Sequence, residues 1–340
     1  MPKVHIELKC GDALQEAADV LVLKHAQGRF GVDEAVDAIL EAEGRRLHLP
    51  RPSSYRIEES TSSIAASKIL MVGVPPLPDF DYKAIRTFAR QALAILAEKL
   101  PDTRTIVLTL HGSGYGLDEV EAFESEIAGL ADAVRIGDFP PALTKISIVE
   151  LAPGRVKRLS HTLETLLPDH TISDPIPGLF GAIAATLTDV RPLTQVASEK
   201  LRTAGITSES KPKVFVAMPF KEEMDDTYHY GIVSATNAAG YLCERADLSS
   251  FTGDVLDWVK SRIRSASLVI ADLTEANPNV YLEVGYAWGC GVPTVLIIKS
   301  GDPLKFDVRS QRCLVYKSIK NLEDLLTKEL QSLPKSIETQ

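Results

Sequence analysis

The apolar positions along this chain change their period again and again. Residues 4–8 alternate as a half-buried strand does, while residues 18–24 (ADVLVLK) and 68–74 (KILMVGV) are continuous apolar runs, as in strands covered on both faces. Residues 82–100 shift to helical spacing, with Ile85, Phe88, Ala92, Leu93, Ile95 and Leu96 on one broad face. Residues 105–110 predict a buried strand that runs into His111 and the loop Gly112-Ser113-Gly114-Tyr115-Gly116. A helix over 117–136, a strand over 145–151 and a helix over 154–167 follow. Strands alternating with helices imply a mainly parallel sheet with crossover helices.

The pattern breaks after residue 167. Pro168, Pro175, Pro177, Pro192 and Pro212 interrupt a stretch with Ser/Thr-rich ends, which predicts a linker over 168–211 with one short helix at 193–204. Periodicity then resumes. Strands are predicted at 213–217, 268–271 and 294–298, with an edge strand at 313–316. Helices are predicted at 232–239, 280–290 and 322–333, and Thr252 or Asp254 can cap another in which Val255, Val259 and Ile263 recur. The expected architecture is α/β with two domains. A mixed sheet spans 1–167, and a small flavodoxin-like, doubly wound parallel sheet spans 212–333. Open sheets of the second kind hold ligands outside the carboxyl ends of their strands. That places a crevice among residues 218–228, residues 272–279 and the helix carrying Glu283.

Composition narrows the picture. In 340 residues, Lys+Arg 37 against Asp+Glu 46 leaves a formal net charge of −9, which argues against nonspecific nucleic-acid binding but not against a pocket for one nucleotide. The cysteines Cys10, Cys243, Cys290 and Cys313 lack C-x-x-C spacing, so reduced cytosolic thiols are expected rather than a disulfide framework or a metal site. The first residues lack the apolar core of a signal peptide, and no apolar run approaches the ~20 residues needed to cross a bilayer. A cytoplasmic protein with no membrane partner and no resident cofactor is the expectation.

The candidate chemistry centres on Glu283. It is one acid among apolar and small residues in a helix that opens after an Asn277-Pro278-Asn279 turn, and an acid there is costly unless it is wet, paired or used. Asn279, Glu283, Tyr286 and Ala287 share a face. The helix N-terminus favours the ionised form by roughly 0.3–1 kcal/mol, whereas burial favours the neutral acid. A fixed carboxylate beside a sugar C1 can stabilise an oxocarbenium-like transition state or attack it. The competing reading pairs Glu283 with an arginine or a loop amide. Asp272, at a strand end, binds a loop N–H in the simpler reading, and Asn277 and Asn279 are turn-formers. Asp225, Tyr228 and Phe220 are further candidates. In the first half, Gly112 to Gly116 precede a helix N-terminus, where backbone N–H groups favour an anion. His25 and His111 lie at neighbouring strand ends.

Two resemblances rest on these residues. Cys10-Gly11-Asp12, the run from Ala18 to Leu23, Gly112-Ser113-Gly114-Tyr115-Gly116-Leu117-Asp118 and Ile148-Val149-Glu150 are together similar to the macro-domain fold and its relative at the front of leucine aminopeptidases. Macro domains bind ADP-ribose and related nucleotides. The resemblance implies a regulatory nucleotide with Asp12 near its adenine and Gly112, Ser113, Gly114, Tyr115 and Gly116 against its phosphates. Where catalytic members carry an Asn-rich turn, this chain has His25-Ala26-Gln27-Gly28, which leaves a nucleotide sensor or a structural partner as the reading of this half.

The second half resembles the nucleoside 2-deoxyribosyltransferase-like group, whose flavodoxin-like fold and active-site glutamate are shared with TIR domains. The residues are Val214 to Phe220, Ala271-Asp272-Leu273, Asn277 to Val280 and Leu282 to Ala287. The resemblance implies catalysis by Glu283, with Asp272 beside the sugar or base. Met218, Pro219, Phe220, Asp225, Tyr228, Asn277, Asn279 and Tyr286 would hold the substrate. It implies an N-glycosidase that cleaves NAD or a related nucleotide, as a defence-type effector active on self-association into a homo-oligomer. A deoxyribosyltransferase or deoxynucleotide hydrolase, and a nucleotide-sensing module without catalysis, are the alternatives.

Overall fold

The computed structural model describes residues 4–28, 31–45, 49–112, 115–167, 170–172, 183–187, 194–219, 221–245, 255–305 and 308–333. The chain is α/β and divides into two compact units. The first comprises residues 1–113 and 119–208, and the second comprises residues 114–118 and 209–340.

The first unit is built on an eight-stranded mixed sheet. Its strands are β1 (Val4–Cys10), β2 (Val20–His25), β3 (Tyr55–Glu59), β4 (Lys68–Gly73), β5 (Thr105–Leu108), β6 (Lys145–Glu150), β7 (His170–Ile172) and β8 (Ile183–Leu187), in the spatial order β3-β4-β2-β5-β6-β1-β8-β7. The five central strands run parallel, whereas β3 and β8 are antiparallel to their inner neighbours. The helices are α1 (Val32–Ala42), α2 (Tyr82–Lys99), α3 (Glu119–Ile136), α4 (Pro153–Leu166) and α5 (Gln195–Thr203). Asp81 caps α2 by accepting from the Ala84 N–H, and the predicted face of α2 is buried at Ile85, Phe88, Leu93 and Leu96.

The described residues of the expected linker belong to this unit as far as Ser208. β7 and β8 extend the sheet beyond β1. The Arg86 guanidinium donates to the carbonyl oxygens of Arg202 and Ala204, and Lys200 pairs with the buried Glu124. Proline-rich sequence reads as a linker because proline removes donors and breaks period. The described parts of this segment are held instead by an adjacent strand edge and by buried groups on α2 and α3.

The second unit has five parallel strands, β9 (Lys213–Ala217), β10 (Leu242–Glu244), β11 (Leu268–Asp272), β12 (Thr294–Lys299) and β13 (Cys313–Tyr316). Their order is β10-β9-β11-β12-β13. This is the flavodoxin-like order, in which the chain reverses direction between β9 and β11. Its helices are α6 (Ser234–Ala238), α7 (Val255–Ser265), α8 (Pro278–Gly289) and α9 (Ile319–Ser332). Alternation along the strands builds two cores. Val214, Val216 and Ile270 meet Ala235 of α6 and Leu322 of α9, while Phe215, Val269 and Ala271 meet Ile263 of α7 and Val284 of α8. A π-helical stretch, Thr227–Val233, leads into α6. Its Gly231 lies under Leu322, where a Cβ would stand 2.8 Å from a leucine methyl. No helix among the described residues is long and apolar enough to cross a membrane, and no described group of three or more His, Cys, Asp or Glu side chains is arranged to hold a metal ion.

Candidate functional site at the carboxyl edge of the parallel sheet

β9 and β11 pair from Val214↔Leu268 to Ala217↔Ala271, so both chains leave the sheet at the same level. The two loops that follow flank the reversal point. Lys221 of the first loop forms an ion pair with Glu275 of the second, and the Glu275 N–H donates to the Asp302 carboxylate at 2.7 Å. Glu275 and Ala276 both hold positive φ, at 63° and 54°. Two successive non-glycine residues in the left-handed region store strain that the surrounding bonds must hold, a condition met most often at ligand-binding loops.

Asp272 ends β11 and is completely buried. One carboxylate oxygen accepts from the Thr274 N–H (3.0 Å) and from the Thr274 hydroxyl, and the other accepts from the Tyr316 hydroxyl (3.0 Å). Burial raises its pKa, opposed by the bonds from Thr274 and Tyr316. Burial, then the charge of Asp272, raises the Tyr316 phenol, and the same two causes push the Cys313 thiol up to about 11. The geometry departs from an acid lying open beside a sugar: both oxygens are engaged within the protein, and Asp272 fixes the loop that carries the strained pair.

The loop ends where Asn277 caps α8, accepting from the Asn279 N–H at 2.9 Å, with Pro278 in the first turn. Val280, Val284 and Ala287 form the buried face of α8. At 100° per residue, Glu283 falls on the flank of that face, which leaves it half-buried. Its carboxyl makes no hydrogen bond or ion pair among the described residues, so neither an arginine nor a loop amide is seen to neutralise it. Desolvation alone pushes it up to about 7. Tyr286, one turn further on, is half-buried, and Asn279 is exposed.

At the other side of β9, three candidates converge on a residue the sequence did not single out. Arg245 follows β10, and its guanidinium lies over the Tyr228 ring, 3.9 Å from the centroid. It approaches the Asp225 carboxylate at 3.7 Å and the Met218 sulfur at 3.8 Å. Met218, Pro219 and Tyr228 are buried, while Asp225 is exposed. Phe220 lies outside the described residues. No local pattern marks Arg245, because its stacking partner sits on a different element and β10 is only three residues long.

Of the residues expected to bind a regulatory nucleotide, Asp12, Gly112, Tyr115 and Gly116 are among the described residues. Asp12 accepts from the Leu14 N–H at 2.9 Å and caps a short 3-10 turn. Gly112 and Gly116 have φ of 84° and 95°, Ser113 and Gly114 lie outside the described residues, and Tyr115 and Gly116 belong with the second unit. There Gly116 lies against Trp258, where a Cβ would come 2.6 Å from the indole, and Asp118 accepts from the Cys243 N–H. The space over Gly116 is filled by a side chain rather than open to phosphate. Gln27, at φ 57°, donates its amide to the carbonyl oxygens of His25, Pro50 and Val74, all at 3.2 Å. His111 is buried with Nδ1 3.0 Å from the fully buried Glu126.

No family model matches this chain, and no curated protein matches it. Among solved structures it is similar to the Oceanobacillus iheyensis macrodomain with MES bound, at 18% identity and a TM-score of 0.36, over 48% of this chain and 97% of that one. A Trypanosoma brucei macrodomain in complex with ADP is 19% identical, with a TM-score of 0.37 over 45% of this chain and 66% of that one. The Clostridium botulinum CMP N-glycosidase BcmB is 18% identical, with a TM-score of 0.30 over 34% of this chain and 98% of that one.

Proposed function

We propose that the second unit is an N-glycosidase acting on the ribosyl bond of NAD or a related nucleotide. The observation that carries this reading is Glu283, a half-buried carboxyl with no partner among the described residues, raised to about 7 by desolvation alone and mounted beside the reversal point of a flavodoxin-like sheet. An acid left in that state gains from a cationic ligand. A pyridinium ribosyl group would supply the missing positive charge and lower the carboxyl's pKa, so that Glu283 ionises as the substrate binds. As the C1–N bond breaks, its electron pair returns to the ring nitrogen and the base leaves neutral. The positive charge passes to the sugar, where the carboxylate stabilises it until water adds at C1 and releases a proton.

A nicotinamide leaving group needs no proton. This suits a site in which Asp272 is engaged by Thr274 and Tyr316 and Asp225 is exposed beside Arg245. The second reading, cleavage or transfer of a deoxynucleoside or deoxynucleotide base, is favoured by the same value near 7, since an acid half-protonated at neutral pH can protonate a base. In both readings Asp272 is a positioning residue. The macro-like unit would bind a nucleotide that regulates the enzyme, and self-association would complete the site.

The test is product analysis by chromatography, at low and high protein concentration, with NAD, deoxynucleosides and deoxynucleotides. Nicotinamide release that Glu283→Ala lowers by at least about 1,000-fold is the expected outcome. Free base from deoxynucleosides alone would move the protein to the second reading. Tight binding of NAD or ADP-ribose without turnover at any concentration would leave a sensor.

A further inference from the structure

The two loops that flank the reversal point are tied to each other. β9 and β11 are neighbours, and a ligand at such a point enters between the loops that leave their carboxyl ends. Lys221 lies on the first loop and Glu275 on the second, so their ion pair crosses that entrance. The backbone places Glu275 for this. Its N–H donates to Asp302, beyond the carboxyl end of β12, while its carboxylate reaches back to the β9 side. Glu275 therefore links three strand ends, and does so at a φ of 63°, a strained conformation for a glutamate. Both side chains meet water, Lys221 at 50% exposed and Glu275 at 46%. An ion pair this exposed adds little stability and exchanges partners readily. It closes the entrance weakly and keeps an ammonium beside it.

We propose that the Lys221–Glu275 ion pair is a latch across the crevice, opened by an anionic ligand whose phosphate takes Lys221 from Glu275. The proposal deepens the glycosidase reading and rests on it. The substrate class becomes nucleotides rather than nucleosides, because a nucleoside must break the latch without offering Lys221 a new partner. The ammonium suits the exchange. It is a point charge on a flexible four-carbon stem with no planar geometry to satisfy, so it follows the phosphate as the loops part. Water takes up the released Glu275 carboxylate, and the left-handed backbone beside it is free to relax.

Calorimetry on the full chain carrying Glu283→Gln keeps catalysis out of the measurement. The probes are nicotinamide mononucleotide and nicotinamide riboside, which differ only by the phosphate. The mononucleotide is expected to bind at least about 10-fold tighter. Adding Glu275→Gln opens the latch and should tighten both ligands by the same factor, roughly two- to five-fold. The riboside is the decisive probe. It is a cation, so losing a nearby carboxylate weakens it by charge alone, and only losing a closed latch tightens it. Adding Lys221→Gln instead should tighten the riboside likewise and bring the preference for the mononucleotide close to one. Both positions are exposed, and unchanged melting temperatures are expected to show that the variants fold. Riboside binding weakened or unmoved by Glu275→Gln, a preference unmoved by Lys221→Gln, or no binding of either ligand overturns the latch. The two readings fail separately. Glu283-dependent release of nicotinamide from NAD, with affinities unmoved by both latch variants, would remove the latch and keep the glycosidase. The expected affinity pattern in a protein whose wild type turns over no substrate would remove the glycosidase and keep the latch.

Discussion

At Glu283 the helix and the solvent pull in opposite directions. The N-terminal turns of α8 favour a carboxylate, but the flank position beside Val280 and Val284 removes water without supplying a donor among the described residues. The sign of the stability effect follows. The folded carboxyl titrates at about 7 against an ordinary value of 4.5, so the folded state holds the proton more firmly. Nothing is lost while the pH is below the ordinary value. Stability falls as the pH rises through the interval between the two values, and the full penalty applies above it. Glu283→Gln should therefore leave the melting temperature unchanged near pH 4 and raise it at pH 8. The gain at pH 8 should be on the order of 1–2 kcal/mol after allowance for solvent screening. Melting curves across that range check this, and a parallel pH dependence in the two proteins would place Glu283 in a paired environment. Asp272 shows the opposite arrangement. It is buried more deeply, yet Thr274 and Tyr316 serve both of its oxygens.

Among the elements, the loop after β11 concentrates what the sequence could not disclose. Asn277 and Pro278 announce a helix start, and that start is found. The positive φ at Glu275 and Ala276 has no local signal, because neither residue type prefers it; Asp302 and Lys221 impose it from distant parts of the chain. Ala276→Gly is expected to raise stability by roughly 0.5–1 kcal/mol, read from denaturant unfolding, by relieving the left-handed conformation. Tyr316→Phe is expected to cost roughly 1–3 kcal/mol by leaving one Asp272 oxygen without its donor. An unchanged unfolding midpoint would mean that another group satisfies Asp272. Other elements escaped the hydrophobic pattern for plain reasons. β3 is a charged edge strand, and β10 spans only three residues. α1 did carry a signal, since Val32, Val36, Ile39 and Leu40 recur at helical spacing.

For the whole molecule, the division into units differs from what composition implies. The boundary falls after Ser208, near the predicted strand start, but residues 168–208 belong to the first unit and residues 114–118 to the second. A fragment ending at residue 167 would expose β1 as an open edge by removing β8, and would leave the Arg86 guanidinium without the Arg202 and Ala204 carbonyls. It is expected to aggregate on size-exclusion chromatography, whereas a fragment ending at residue 208 should run as a compact species. Equal behaviour would mean that β7, β8 and α5 contribute nothing to the first fold.

The chain's periodicity by itself determined the α/β class, most of the long strands and helices, and the position of Glu283 early in a helix behind a strand end. Those features depend on neighbours a few residues away, which the alternation and the helical repeat report directly. Only the tertiary structure decided that Asp272 is consumed by its own loop, that Gly116 lies under Trp258, and that Arg245 gathers Met218, Asp225 and Tyr228. Each depends on partners distant in sequence, and burial, hydrogen-bond satisfaction and stacking are set by those partners rather than by local residue type.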